Sequence, residues 1–216
     1  RRCYEKAIQI NPNYADAHNN LGGVLKELGN FQEAIEYCYK AIEIQPDYAN
    51  AYYNLGILFK ELKDLQKSLN CYQKSIKIQP NYPDAHNNLG VVLSELGKHE
   101  EAIHCYKKAI QINPKYADAY YNLASSLSDL ARLEEAIIGY YQVIKIRPNF
   151  VMAYSNLLFN LNYKTDFDPN LYLTEAKKFR KNCAPKKKLS FKYQFDKQPK
   201  KLRLGLVSAD FGNHPG

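Results

Sequence analysis

Ala15-Asp-Ala-His-Asn-Asn-Leu-Gly-Gly-Val-Leu-Lys-Glu-Leu-Gly-Asn-Phe-Gln-Glu-Ala-Ile-Glu-Tyr-Cys-Tyr-Lys-Ala-Ile-Glu-Ile-Gln-Pro-Asp-Tyr48 decides how the rest of the chain is read. Ala17, Leu21, Val24, Leu25 and Leu28 recur at three and four residues, so they lie on one face of a helix. Gly22 lets a partner helix approach closely, and Gly29 ends the first helix. Phe31, Ala34, Ile35, Cys38, Ala41 and Ile42 form the stripe of a second helix. It stops before Pro46, because the residue preceding a proline is pushed out of the α region. Neither helix can bury its stripe alone.

The same pattern returns along the chain. Pro12, Pro46, Pro80, Pro114 and Pro148 lie 34 residues apart, and Leu21, Leu55, Leu89, Leu123 and Leu157 keep the same step. So do Ala17, Ala51, Ala85, Ala119 and Ala153. A helix-turn-helix unit of this period resembles the tetratricopeptide repeat. Four complete units span 15–48, 49–82, 83–116 and 117–150, preceded by the second helix of another unit (1–14) and followed by the first helix of a sixth (151–162). The resemblance implies an all-α solenoid, a right-handed superhelix with the first helices on its concave side. Lys63 and Ala131 stand where Gly29 ends the first helix, so those two turns are expected to be less relaxed.

Composition sets the outer limits. With 216 residues, 45% apolar and 24% charged, the chain is no disordered polyampholyte. It lacks an initiator Met and opens as if inside a helix, so it reads as a fragment, and no run approaches a membrane span or a signal peptide. The net charge of +8 lies wholly beyond residue 150. The folded units therefore offer no basic stripe, and no nucleic-acid partner is expected. Cys3, Cys38, Cys71, Cys105 and Cys183 form no C-x-x-C pair, and the first four follow the repeat; they read as reduced apolar fillers of a cytoplasmic (or nucleocytoplasmic) protein.

One column is polar throughout: Asn20, Asn54, Asn88, Asn122 and Asn156. Asparagine is a poor helix former, so five at one position need a reason. Each amide offers a donor and an acceptor, enough to hold an extended peptide by its backbone. First helices about 10 Å apart would bring one Asn to about every third peptide residue. Alternatively, the amides hydrogen-bond between repeats. The flanking columns, Asp16, Asn50, Asp84, Asp118, Met152 and Asn19, Tyr53, Asn87, Tyr121, Ser155, hold no cation. With Glu27, Glu61, Glu95 and Asp129 nearby, the face suits neutral or basic peptides. His18 and His86 share a column with Tyr52, Tyr120 and Tyr154 and read as packing residues, and His99 and His104 read as solvated. No metal site is expected.

Beyond the sixth first helix the period fails. Asp168 and Pro169 suit the start of a helix over about 170–182, ahead of a basic linker, so 163–200 reads as helix plus linker. From Lys177 to Arg203 there are 12 Lys+Arg against one acid, a solvated linker or a surface for anionic phosphate or lipid. Leu202, Leu204, Leu206 and Val207 read as a strand, placing the start of another domain at 201–216. Together, the repeats, the Asn column, Ser155 to Tyr163 and Ser208-Ala-Asp-Phe-Gly-Asn-His-Pro215 resemble the O-linked N-acetylglucosamine transferase/SPINDLY family. That resemblance implies a truncated Rossmann-like (GT-B type) lobe after the solenoid. It also implies transfer of a GlcNAc-type sugar from a nucleotide-sugar donor such as UDP-GlcNAc to Ser or Thr of acceptor proteins held in the groove, with His214 at the active site. The fragment itself would hold no cofactor and transfer nothing. The rival reading is a non-enzymatic tetratricopeptide scaffold that mediates protein–protein interactions.

Overall fold

In the four complete units each apolar stripe is buried against the stripe of its partner helix. The structure, a computed structural model, describes residues 1–183. It contains the helices α1 (Arg2–Ile10), α2 (Ala15–Glu27), α3 (Phe31–Ile44), α4 (Ala49–Glu61), α5 (Leu65–Ile78), α6 (Pro83–Glu95), α7 (His99–Ile112), α8 (Ala117–Asp129), α9 (Leu133–Ile146), α10 (Val151–Tyr163) and α11 (Pro169–Cys183). No strand occurs among the described residues. The basic segment after Cys183, the expected strand at 202–207 and His214 lie outside the described residues.

The pairs α2/α3, α4/α5, α6/α7 and α8/α9 pack along their length, and each second helix packs on the first helix of the next unit. Successive first helices touch one another, whereas successive second helices do not. The stack therefore curves with α2, α4, α6, α8 and α10 on its inner side. Leu21, Leu25, Leu55, Leu58, Val92, Leu127 and Leu157 are buried along its core.

Core size is balanced within each unit. Cys38, Tyr72, Tyr106 and Tyr140 share a column and are buried. A Cβ on Gly56 would lie 2.6 Å from the Tyr72 ring, and one on Gly90 would lie 2.5 Å from the Tyr106 ring. In the fourth unit Ala124 replaces that glycine, and α9 answers with Gly139, where an added Cβ would lie 2.8 Å from the Ala124 Cβ.

The turn between the helices of each unit closes the same way. After α2, the Gly29 N–H bonds the Lys26 carbonyl (2.9 Å) and the Asn30 N–H bonds the Leu25 carbonyl (2.9 Å), which caps the last turn of the helix. Gly29 and Gly97 hold φ of 78° and 76°; Lys63 and Ala131 are forced to 61° and 56° and keep the same pair of bonds. Packing of the helix pair thus imposes a left-handed residue on side chains that disfavour it. Ala131→Gly is accordingly expected to stabilise the protein by about 0.5–1 kcal/mol, and Gly97→Ala to destabilise it similarly, as read from chemical denaturation midpoints. A lower midpoint for Ala131→Gly would refute the strain.

At the C-terminal end, the Asp168 carboxylate caps α11 by accepting the Asn170 N–H at 2.9 Å. Phe179 stacks on Tyr154 at 5.6 Å, and Asn182 Nδ2 donates to the Tyr154 hydroxyl at 2.7 Å, so α11 covers the outer side of α10. Glu175 is buried with the Lys178 ammonium at 2.8 Å. The described cysteines are free; Cys38 and Cys105 fill the core, whereas Cys3 is exposed. Burial pushes the Cys38 thiol up to about 12 and Cys71 and Cys105 to about 11. No described helix is long and apolar enough to cross a membrane.

Candidate functional site: the inner face

The Asn column lies on the seam between neighbouring first helices. Asn54 Nδ2 donates to Asn19 Oδ1 at 2.8 Å, and Asn122 Nδ2 donates to Asn87 Oδ1 at 2.9 Å. Asn88 Nδ2 donates to the Tyr53 hydroxyl at 3.1 Å, and Asn156 Nδ2 to the hydroxyls of Tyr121 (3.1 Å) and Tyr140 (3.3 Å). These amides therefore bridge repeats, always to the column 35 residues earlier, where an acceptor is supplied alternately by Asn and Tyr. That alternation of Asn19, Tyr53, Asn87 and Tyr121 is the signal in the sequence that foretells the bridge.

Bridging does not use up the amides. The side-chain oxygens (Oδ1) of Asn54, Asn122 and Asn156 accept no hydrogen bond among the described residues, while Asn88 Oδ1 accepts from Asn87 Nδ2 at 3.2 Å. Asn20 has no earlier first helix beside it among the described residues. It is exposed and makes no side-chain hydrogen bond there.

Carboxylates frame the seam on both sides. The Tyr48 hydroxyl donates to Asp16, and Tyr116 donates to Asp84 at 2.6 Å. The matching residue in the next unit is Phe150, which has no hydroxyl, and the Arg147 guanidinium takes over with two bonds to Asp118 at 3.1 and 3.3 Å. Burial, and then the bond to Asp16, raises the Tyr48 phenol to about 12, and burial and Asp84 likewise raise Tyr116. Besides Arg147, two lysines that the flanking columns did not reveal reach the seam: Lys60 lies 4.0 Å from Glu95 of the next unit, and Lys26 lies 3.0 Å from Glu27. Glu61 and Asp129 are exposed and form no ion pair among the described residues. On α10 the acidic character stops. Met152, Phe159 and Tyr163 are 57%, 57% and 62% exposed, with the two rings 4.6 Å apart.

Two of the histidines tie down loops. His18 and His86 sit with Nε2 at 2.8 and 2.9 Å from the carbonyls of Pro12 and Pro80, and burial lowers the pKa of His86. His99 is half-buried, 3.4 Å from the Ser94 hydroxyl, while His104 is exposed. No metal-holding cluster occurs among the described residues.

Family models described as the tetratricopeptide repeat match residues 13–81, 83–116 and 105–138, together more than half of the chain. No curated protein matches the sequence. Among solved structures, the chain is similar to YrrB, described as a TPR protein with an unusual peptide-binding site, at 22% identity and a TM-score of 0.68, over 82% of this chain and 91% of that one. It is also similar to MamA (27% identity, TM-score 0.62, 68% of this chain and 86% of that one). A third is PilF of Pseudomonas aeruginosa (20% identity, TM-score 0.70, 79% of this chain and 77% of that one).

These findings overturn the resemblance to the O-linked N-acetylglucosamine transferase/SPINDLY family. What matches is the repeat itself and other repeat proteins, and the described residues are helices without a Rossmann-like part. Stacked helix pairs and an amide seam serve any such array, so they cannot single out a transferase. The motif that could, 208–215, lies outside the described residues. The chain belongs to the tetratricopeptide-repeat family.

Proposed function

We propose that the chain is a protein–protein interaction scaffold that holds an extended segment of a partner along the inner face of α2, α4, α6, α8 and α10. The observation that carries this reading is the Asn column, whose amides spend a donor on the seam and leave side-chain oxygens at Asn54, Asn122 and Asn156 without a partner among the described residues. Such oxygens suit the N–H groups of an extended backbone, which recur at a spacing that neighbouring first helices, about 10 Å apart, can match. The peptide-binding site named for YrrB favours the same reading. Sugar transfer to Ser or Thr forms no part of it.

Asn20 separates binding from folding, because it is exposed and bridges nothing. With peptides selected on this chain from a random display library, Asn20→Ala is expected to weaken binding about 2- to 10-fold by calorimetry, with the melting temperature unchanged. Replacing Asn54, Asn88 and Asn122 together by Ala removes three bridges as well. That variant is expected to lose about 1.5–4 kcal/mol of stability in addition to affinity. Peptide affinities indifferent to Asn20 and to every other inner-face substitution would overturn the reading.

A further inference from the structure

We infer that the segment held by the inner face is basic, carries one large apolar side chain at one end, and seats that side chain on α10. This rests on the groove reading above and names the chemistry of its partner. Over the first four units the face presents Asp16, Glu27, Glu61, Asp84, Glu95, Asp118 and Asp129 against the ammonium groups of Lys26 and Lys60. Both lysines already lie beside a carboxylate of the same face. Asp16 and Asp84 accept from neutral tyrosines, which leaves their charge in place, and only Asp118 faces a cation from the adjoining loop, Arg147. The net field over these units is negative, and Glu61 and Asp129 stand in it exposed and unpaired among the described residues. A Lys or Arg side chain fits there, and an acidic segment is repelled. A second copy presenting this same face would be repelled also.

The independent observation is the change of character at α10. The column of Asp16 ends in Met152, and the column of Glu27 ends in Tyr163. With Phe159 between them, three large apolar side chains on one helix face are more than half exposed. The α11 helix covers the other side of α10, at Tyr154, and leaves this face open. Glu61 and Tyr163 stand three units apart, about 30 Å, or about nine residues of an extended chain. A segment of that length can place its cationic side chains over the second to fourth units and its apolar end on the Phe159–Tyr163 pair.

The test uses the whole chain and a random 12-residue peptide display library. The selected peptides are expected to carry two or more Lys/Arg and a Phe, Leu, Ile or Met at one constant end. With the best of them as a synthetic probe, Phe159→Ser is expected to weaken binding about 10-fold. The pair Glu61→Lys with Asp129→Lys is expected to weaken it about 5- to 20-fold and to flatten its salt dependence. All three sites are exposed, and unchanged melting temperatures check that folding is intact. Selected peptides without Lys/Arg, or an affinity indifferent to Phe159, would overturn the inference. If such peptides still lost affinity on Asn20→Ala, the groove reading would stand without it; if no inner-face substitution mattered, both would fall.

Discussion

Raising the pH from 10 to 12 is expected to unfold the repeat array. Tyr72, Tyr106 and Tyr140 are 0%, 2% and 1% exposed. Burial, the largest cause for each, raises their phenols, Tyr140 to about 12 and the other two further still. In the unfolded chain these phenols ionise near pH 10. Above that pH the unfolded state gives up protons that the folded state keeps, so stability falls as pH rises. It is fully present below about pH 10 and is lost as the pH climbs toward the folded values. Three groups acting together give a slope of about 4 kcal/mol per pH unit. By pH 12 that slope removes up to about 8 kcal/mol, enough to exhaust a stability in the lower part of the usual range of about 5–15 kcal/mol. Circular dichroism and tyrosinate absorbance followed together should change in one cooperative step. Tyrosinate appearing from these residues while helicity is intact would show that the column is not sealed.

Much of the fold was legible because the sequence states it repeatedly. Five copies of the proline, leucine and alanine columns fix the helix pairs, and no single residue has to carry the reading. Even the turns at Lys63 and Ala131 obey the period, since the strain of one left-handed residue is small beside the packing of a whole unit. The inner face was legible only in composition. Which atom an amide meets depends on how one unit is offset from the next, and a single unit does not encode that offset. Bridging between repeats was one of the two readings the sequence left open, and the structure identifies the individual partners, Asn19 for Asn54 and Tyr53 for Asn88. It likewise identifies Arg147, which serves Asp118 because Phe150 has no hydroxyl. The transferase resemblance failed for a related reason. Its strongest support by area was the repeat array, which is dictated by the packing of helix pairs and says little about chemistry carried elsewhere.

The balance of core sizes makes the second large prediction. Gly90→Ala would gain up to about 1 kcal/mol in helix propensity, yet its Cβ would lie 2.5 Å from the Tyr106 ring. The ring is buried between helices and has no free direction in which to move, so overpacking wins, and the net loss is expected to be about 1–3 kcal/mol. Gly23→Ala is the matched control: nothing lies within 4 Å of its added Cβ, so only the propensity gain remains. The fourth unit shows how an alanine is tolerated at this place, with Gly139 of α9 facing Ala124. The residue equivalent to Gly139 one unit earlier is Cys105. Cys105→Gly alone should destabilise, since it removes a buried side chain and puts glycine in a helix. Combined with Gly90→Ala it lets α7 settle as α9 does. The double variant is therefore expected to be more stable than the sum of the two losses implies, by about 1 kcal/mol in a denaturation cycle. Strict additivity would mean that Tyr106, and not the room beside residue 105, sets the limit.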